Sequence, residues 1–212
     1  MEELAKLTAM LLTDGGICRI GNRWRIYFTT KSKRLASDFA KAVKNVLGLR
    51  VQSELHNNAF HLRCWISKNS AKNIISLLGG KKRDGQRVPV EILQDVKLVR
   101  VFLRYAFTCD GSVTFVIRRK GRGFIFDRRV KLFSSVKNLR IGYYSLIRRL
   151  KIRAKVHKDG VQISRRENLL KFKELVGFVD GVKAHGKGLW HGLTKNEILA
   201  ICILSYDYSP SQ

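Results

Sequence analysis

Hydrophobic and polar positions follow two periodicities along this chain, one helical and one alternating, and they recur in the same order in both halves. Helical spacing predicts helices that end near the Asp-Gly pairs at 14–15 and 110–111, and further helices over residues 32–47, 69–79, 135–150 and 166–176. Alternation predicts strands over residues 17–20, 24–30, 50–56 and 59–67, and over residues 112–118, 124–133, 152–157 and 161–164. In each half, the pattern therefore predicts a helix, two strands, a helix, two strands and a helix, in that order.

This repetition predicts an α+β fold made of two similar domains, each an αββαββα unit with an antiparallel sheet. Ser32 is a candidate cap and Gly48 a candidate stop for the second helix of the first unit. We expect the first domain over residues 1–80, a polar linker over 81–96, and the second domain over 97–212. An extra C-terminal helix is predicted at about 194–204.

The two helices that open the halves share an unusual ending. LTAMLLTDG places Asp14 after an apolar helix, and LRYAFTCDG places Asp110 after another. A buried helix has little reason to end on a carboxylate, so two such helices indicate that they pack together and deliver both acids to one place. Carboxylates gathered in this way predict a metal site. The alternative is two unrelated helices that end in ordinary Asp-Gly turns.

The charge of the chain indicates a polyanionic partner. Lys and Arg number 42 against 16 Asp and Glu, which gives a net charge of +26 over 212 residues. The excess is present in both halves, with 17 basic and 8 acidic residues up to Val96 and 25 and 8 after it. A basic excess in both halves favours nucleic acid over a solvated surface or a charged tail.

Alternation along the strands separates an apolar face from a polar face that is rich in Arg, Lys, His and aromatic residues. Double-stranded DNA suits such a face, because β-ribbons can enter the major groove and read base edges. The alternative, an ordinary half-solvated sheet, does not explain the sign of the charge. The expected DNA-contacting residues are Arg19, Arg25, Tyr27, Thr29, Lys31, His61, Arg63, Thr114, Arg118, Arg129, Lys131, Arg153 and Lys155.

The four cysteines lie in or beside apolar runs without metal-binding spacing, which indicates reduced core residues. The sequence shows no signal peptide and no apolar run long enough to span a membrane. We therefore expect an intracellular protein, cytoplasmic or nucleoid-associated, with no membrane partner.

The two Asp-Gly motifs resemble those of a single-chain, two-repeat LAGLIDADG homing endonuclease. Leu7, Met10 and Leu11 fit the family pattern in the first copy, as do Leu103 and Phe107 in the second, together with the two Asp-Gly pairs. Tyr105 departs from it, because the family has a small residue there. Either Ala106 and Cys109 allow the close helix approach instead, or the interface is asymmetric.

The resemblance implies a homing endonuclease fold with two saddle-shaped sheets around a pseudo-twofold axis. Each saddle would cover about one turn of duplex, so that a monomer reads about 20 bp. It also implies that Asp14 and Asp110 bind Mg²⁺, which Mn²⁺ can replace, and cut both strands across the minor groove to leave 3′ overhangs.

Three lysines match the positions of the family's catalytic basic residues, namely Lys81, Lys82 and Lys183. Their alternative role is that of ordinary exposed lysines. The family often places a polar, water-organising residue at the end of the second strand, where this chain has Thr30-Lys31 and Ser134-Ser135 instead of Gln. The remaining alternatives to a nuclease are a maturase that binds intron RNA and a DNA-binding regulator that does not cut.

Overall fold

The structure is a computed structural model that describes residues 1–80, 85–121, 123–184 and 189–208. In the first half, α1 (Glu2–Leu12), β1 (Gly15–Ile20), β2 (Arg23–Thr30), α2 (Lys33–Leu47), β3 (Gln52–His56), β4 (Ala59–Ile66) and α3 (Lys68–Leu77) follow in order. After α4 (Val90–Gln94), the second half contains α5 (Val96–Asp110), β5 (Gly111–Lys120), β6 (Gly123–Phe133), α6 (Lys137–Arg149), β7 (Lys155–His157), β8 (Gly160–Ser164), α7 (Arg166–Leu175) and α8 (Lys195–Leu204).

Two antiparallel four-stranded sheets form the frame of the molecule. Their strand orders are β1-β2-β4-β3 and β5-β6-β8-β7, so the two halves have the same topology. The predicted α+β fold with two repeated units is therefore confirmed. The second hairpin is longer, since β5 and β6 have 10 and 11 residues against 6 and 8 for β1 and β2.

One face of each sheet packs against helices, as the alternation predicts. Ile26 and Phe28 of β2 are fully buried, and the Phe28 ring stacks on Phe39 of α2 with centroids 5.0 Å apart. In the second sheet, Val130 and Leu132 are fully buried in the same way. Because side chains alternate along a strand, the neighbouring polar residues must lie on the opposite face.

The ends of α2 follow the sequence signals. The Ser32 side chain accepts a hydrogen bond from the Leu35 backbone N–H, and Gly48 ends the helix in the left-handed conformation with φ 68°. Glycine adopts this conformation without steric cost, which explains the stop. The prediction of both ends is confirmed.

The helices that open the two halves, α1 and α5, pack against each other. Ala5 and Ala9 of α1 and Ala106 of α5 are fully buried, so small side chains are available where the helices approach. Tyr105 is also buried, and its hydroxyl donates a 2.8 Å hydrogen bond to Asp38 of α2. The helix interface is therefore asymmetric, and Tyr105 joins the two halves.

Two stretches differ from the sequence prediction. The third strand of the second sheet begins at Lys155 instead of residue 152, because Ile152 is fully buried and the Arg153 backbone N–H donates to the Asn168 side chain at 2.9 Å. Residues 90–94, expected in a polar connection, form α4. Ile92 of α4 and Val88 just before it are buried, at 0% and 5% exposure. The boundaries of the two domains stay a prediction.

All four cysteines are free, and Cys64 and Cys202 are buried. Among the described residues, no helix has both the length and the apolar character needed to cross a membrane.

The burial of Ile92 generates a stability prediction. Ile92→Ala should lower the free energy of unfolding by about 2–5 kcal/mol, because it leaves a cavity in a packed core. Urea unfolding of the purified variant measures this change. The control is Val90→Ala, which truncates a 54% exposed side chain in the same helix and should change stability by about 0.5 kcal/mol or less. Equal losses for the two variants would show that α4 does not pack as described.

Candidate active site

The paired helices bring the two acids together. Asp110 is the last residue of α5, and Asp14 follows the end of α1, where its carbonyl oxygen accepts a hydrogen bond from Thr29 of β2. The side chains of Asp14 and Asp110 are in hydrogen-bonding contact. The expectation that both carboxylates reach one place therefore agrees with their placement.

This contact perturbs the ionisation of the pair. Burial, followed by the charge of Asp14 and the hydrogen bond to it, raises the pKa of Asp110 to about 7. Burial also raises the pKa of the neighbouring Cys109 thiol, with Asp14 as a second cause. A partly buried carboxylate, Asp110, in contact with the exposed Asp14 forms a strongly negative centre that favours binding of a proton or a metal cation.

A lysine from the C-terminal helix lies beside the acids. Lys195 is the first residue of α8, and its Nζ donates hydrogen bonds to the carbonyl oxygens of Thr108 and Gly111 at 2.6 Å and 2.7 Å. Burial lowers the pKa of Lys195, whereas Cys109 and both acids raise it. Lys195 thus supplies a positive charge at the end of α5.

A capping box fixes the start of α8. The Thr194 hydroxyl accepts a hydrogen bond from the Glu197 N–H, and the Glu197 carboxylate accepts one from the Thr194 N–H at 2.7 Å. This start agrees with the helix predicted at about residues 194–204, so the position of Lys195 at a helix start follows from the sequence. The sequence does not predict where the helix packs, which explains why sequence reasoning missed Lys195.

Two cavities flank the acid pair. One, of about 270 Å³, is lined by Asp14, Cys109 and Lys195 together with Thr30 and Lys31. The other, of about 390 Å³, is lined by Asp110 with residues from both halves, including Gly16, Tyr27, Ser134 and Ser135. The polar residues that end the second strand of each half therefore lie beside the acids.

The polar face of the first sheet gathers most of its expected DNA-contacting residues. Strand register places Arg25 opposite Trp65, Tyr27 opposite Arg63, and Thr29 opposite His61. The Arg25 Nε is buried without a hydrogen-bond partner in the described part of the chain, so it is a donor that an added acceptor could satisfy.

Trp65 was missing from the expected set. Its ring lies 4.6 Å from the Arg23 guanidinium and 5.8 Å from that of Arg25.

The second sheet presents a similar face. Register pairs Thr114 with Arg129, and pairs Gln162 with both Lys131 and Lys155. Arg118 lies on the same face nearer the hairpin tip, opposite Ile125. Arg129 and Lys131 form ion pairs with Asp127 and Asp159 at 3.2 Å and 2.6 Å, so these acids hold the basic groups in place. Arg153 is exposed just before β7.

Comparisons with known proteins identify the fold. The profile of the LAGLIDADG-like domain family matches residues 97–177. Among solved structures, the homing endonuclease I-DmoI in complex with DNA and Mn has a TM-score of 0.60 at 18% identity, over 83% of this chain and 96% of that one. I-DmoI in complex with DNA and Ca gives a TM-score of 0.59 at 17% identity, over 82% of this chain and 88% of that one.

The chain is a two-domain protein of the LAGLIDADG fold. This agrees with the resemblance seen in its two Asp-Gly motifs. The N-terminal LAGLIDADG domain of DUF199/WhiA is also similar, with a TM-score of 0.53 at 16% identity, over 88% of this chain and 84% of that one. No curated protein sequence matches the chain.

Of the three lysines expected from the resemblance, only Lys183 lies among the described residues. Lys81 and Lys82 lie outside the described residues. Lys183 is exposed and lines a neighbouring pocket, which does not include either acid. Lys195 lines the cavity beside Asp14 instead.

Arg19 does not share a face with the other expected contacts of the first sheet. It pairs with Trp24, so it lies on the sheet face opposite to Arg25, and its side chain bonds to the Gly21 carbonyl and Asn22 at 2.9 Å and 3.1 Å. A one-residue change of strand position reverses the face, which explains the error. We therefore remove Arg19 from the expected contacts.

The residues at the acid pair fit a divalent metal. The described residues contain no cluster of three or more His, Cys, Asp or Glu side chains that could hold an ion, so the protein ligands would be the two carboxylates. Carboxylate oxygens are hard ligands that suit Mg²⁺, which usually takes only one or two from a protein and the rest from phosphate or water.

The raised pKa of Asp110 generates a pH prediction. The pKa is about 7 in the folded protein against an ordinary value of 3.8, so the folded state binds the extra proton between these values. The contribution of Asp110 to the free energy of unfolding is therefore fully present below pH 3.8 and is lost as the pH rises to about 7. Asp110→Asn should remove this loss in chemical unfolding experiments without divalent metal.

The control for this prediction is Glu174→Gln, which changes an exposed carboxylate on α7. It should keep the pH dependence of the wild type. The same pH dependence in Asp110→Asn as in the wild type would contradict the described contact between the acids.

Proposed function

We propose that this protein is a site-specific DNA endonuclease that acts as a monomer, reads an asymmetric duplex of about 20 bp and cuts both strands with Mg²⁺. The observation that carries the proposal is the contact between Asp14 and Asp110 at the ends of two helices, in a chain whose two sheets each present a basic face. A protein that only binds DNA has no need for two carboxylates that repel its polyanionic ligand.

DNA binding is assigned to the polar faces of the two sheets. Charged and aromatic side chains that lie side by side on one face of a sheet can follow a DNA groove and contact phosphates and base edges. The residues proposed for this role are Arg25, Tyr27, Thr29, Lys31, His61, Arg63, Thr114, Arg118, Arg129, Lys131, Arg153 and Lys155. Trp65 joins them, because it lies opposite Arg25 in the register, and its ring lies near the guanidinium groups of Arg23 and Arg25.

Cleavage is assigned to the acid pair and Lys195. Asp14 and Asp110 would hold Mg²⁺, or Mn²⁺ in its place, and the metal supplies an activated water and stabilises the leaving oxygen. Lys195 places an ammonium group beside the acids, where it can stabilise negative charge that builds up on a phosphate.

The position of the acids leads to the proposed pattern of cuts. Because the two carboxylates are in contact, a single centre must reach one phosphate on each strand. Phosphates of opposite strands approach each other most closely across the narrow minor groove, which is about 6 Å wide. Cuts at such a pair are offset and leave 3′ overhangs.

The similarity to solved structures supports DNA binding without deciding the activity. I-DmoI has been solved with DNA and Mn and with DNA and Ca, and both structures have the present fold. The same fold occurs in DUF199/WhiA, whose N-terminal domain matches 88% of this chain. Since one fold can carry several functions, a binder of DNA or of intron RNA that does not cut is the alternative.

Replacement of either acid tests the endonuclease proposal. Asp14→Asn and Asp110→Asn should each lower double-strand cleavage at least about 100-fold, because the amide keeps the shape of the helix end but loses the charge that holds the metal. Binding should be retained or strengthened, since repulsion with DNA decreases. A plasmid library with Mg²⁺ identifies the target, and cleavage and gel-shift assays on one labelled duplex measure both effects.

Ca²⁺ in place of Mg²⁺ should support binding of the wild type with little cutting. Glu174→Gln is the matched control and should cut normally. Unchanged cleavage by either Asp variant would refute the paired-acid mechanism. A wild type that binds folded RNA and never cuts DNA with Mg²⁺ or Mn²⁺ would favour the alternative.

Lys195 generates a separate prediction. Lys195→Met keeps an unbranched side chain of similar length but removes its charge, and it should lower the cleavage rate at saturating DNA by about 10²–10³-fold. Lys173→Met, an exposed lysine on α7, is the control and should cut at the wild-type rate. Single-turnover cleavage gives the rate, and thermal unfolding confirms that both variants are folded. A normal rate for Lys195→Met, together with a large loss for Lys183→Met, would return the catalytic role to Lys183.

A further inference from the structure

A basic pocket adjoins the cavity beside Asp14, with Lys31 in the lining of both. It has a volume of about 380 Å³ and is lined by the start of α2 and by residues of 181–184 and 191–192. Its charged lining residues are all basic or imidazole side chains, namely Lys31, Lys33, Arg34, Lys183 and His191, and its described lining contains no carboxylate. The first three belong to the first half and the last two to the second, so the pocket joins the halves.

The basic side chains of this pocket are only partly neutralised. Arg34 pairs with Asp38 of the same helix at 3.0 Å, and the charge of Lys183 acts on Glu197 of α8. Within the described ranges, neither Lys31 nor Lys33 has a carboxylate within ion-pair distance. Several lysines around one cavity repel one another, so an anion in the cavity would stabilise the arrangement.

The start of α2 adds to this positive potential. Its first turn contains no acidic residue and begins with Lys33 and Arg34. The N-terminus of a helix already carries a partial positive charge, so basic residues there are unfavourable without an anionic partner. The sequence thus places positive charge where a helix alone would favour negative charge.

Lys31 connects the pocket to the acid pair. It lines this pocket, and it also lines the cavity that contains Asp14 and Lys195. Lys183 is next to Val182, which lines the same cavity. A chain of phosphates that enters the cavity beside Asp14 can therefore continue into the basic pocket.

We propose that this pocket binds one backbone phosphate of the nucleic acid, next to the phosphate that is cut, and that both halves of the protein supply its cations. The inference rests on the proposed function and identifies a contact outside the sheet faces. A phosphate fits better than a carboxylate ligand, because the pocket continues from a site where phosphodiester is the substrate. Lys183 then acts as a phosphate contact rather than as a catalytic residue.

The first experiment measures anion binding without DNA. Inorganic phosphate at constant ionic strength should raise the melting temperature of the wild type, since a ligand that binds the folded state stabilises it. Lys33→Ala combined with Lys183→Ala should lose at least half of this increase. The matched control, Lys41→Ala combined with Lys173→Ala, removes one exposed lysine from each half outside the pocket and should keep the wild-type increase. Equal increases in all three proteins would overturn the proposal.

The second experiment measures duplex binding against salt concentration in Ca²⁺, on the target duplex. One neutralised phosphate contributes about 0.9 to the slope of log K against log salt. Lys33→Ala and Lys183→Ala should each reduce the slope by about 0.9, and the double variant by about the same amount, because both lysines serve one phosphate. A reduction of about 1.8 in the double variant would mean two separate phosphates and would overturn the shared site.

These experiments separate the pocket from the nuclease proposal. A wild type that binds duplex but never cuts would refute the endonuclease, while the measurement with inorganic phosphate remains valid because it uses no DNA. A wild type that cuts its target but shows equal phosphate stabilisation in pocket and control variants would refute only the pocket.

Discussion

The packing of α1 against α5 is the interaction on which the rest of the structure depends. It places the exposed Asp14 in contact with the partly buried Asp110 at the helix ends, although two carboxylates repel each other. Buried alanines on both helices and the Tyr105–Asp38 hydrogen bond hold the halves together despite this cost. The same packing fixes the two sheets relative to the acids, since β1 and β5 begin directly after them.

The C-terminal segment supports this centre from the back of the second sheet. Lys195 at the start of α8 contacts the end of α5, and Arg128 of β6 donates two 2.8 Å hydrogen bonds to Ser205 after the end of α8. The Arg128 guanidinium also lies over the rings of Phe126 and Tyr206 at 4.4 Å and 4.2 Å. One helix therefore contacts both the proposed cleavage centre and the strand that carries Arg129, which makes the second half different from the first.

The fold could be predicted from the sequence because its signals are local and repeated. Alternation placed Ile26 and Phe28 in the core and Arg25 on the other face, and the Asp-Gly motifs indicated which helices meet. Lys195 could not be found in this way, because its position depends on how α8 packs on residues more than 80 positions earlier. Arg19 was misplaced because the face of a strand residue depends on exact register, and α4 was missed because Ile92 is buried by tertiary contacts within a polar segment.

The central claim is that one pair of touching carboxylates serves both DNA strands, and the ends of the cleaved target test it most directly. Purified protein with Mg²⁺ is incubated with a plasmid library of candidate sites, and both ends of the cut product are sequenced. We predict cuts on both strands that are offset across the minor groove and leave 3′ overhangs, as required by a single centre between close phosphates. Blunt ends, 5′ overhangs or a bound but intact duplex would contradict this claim.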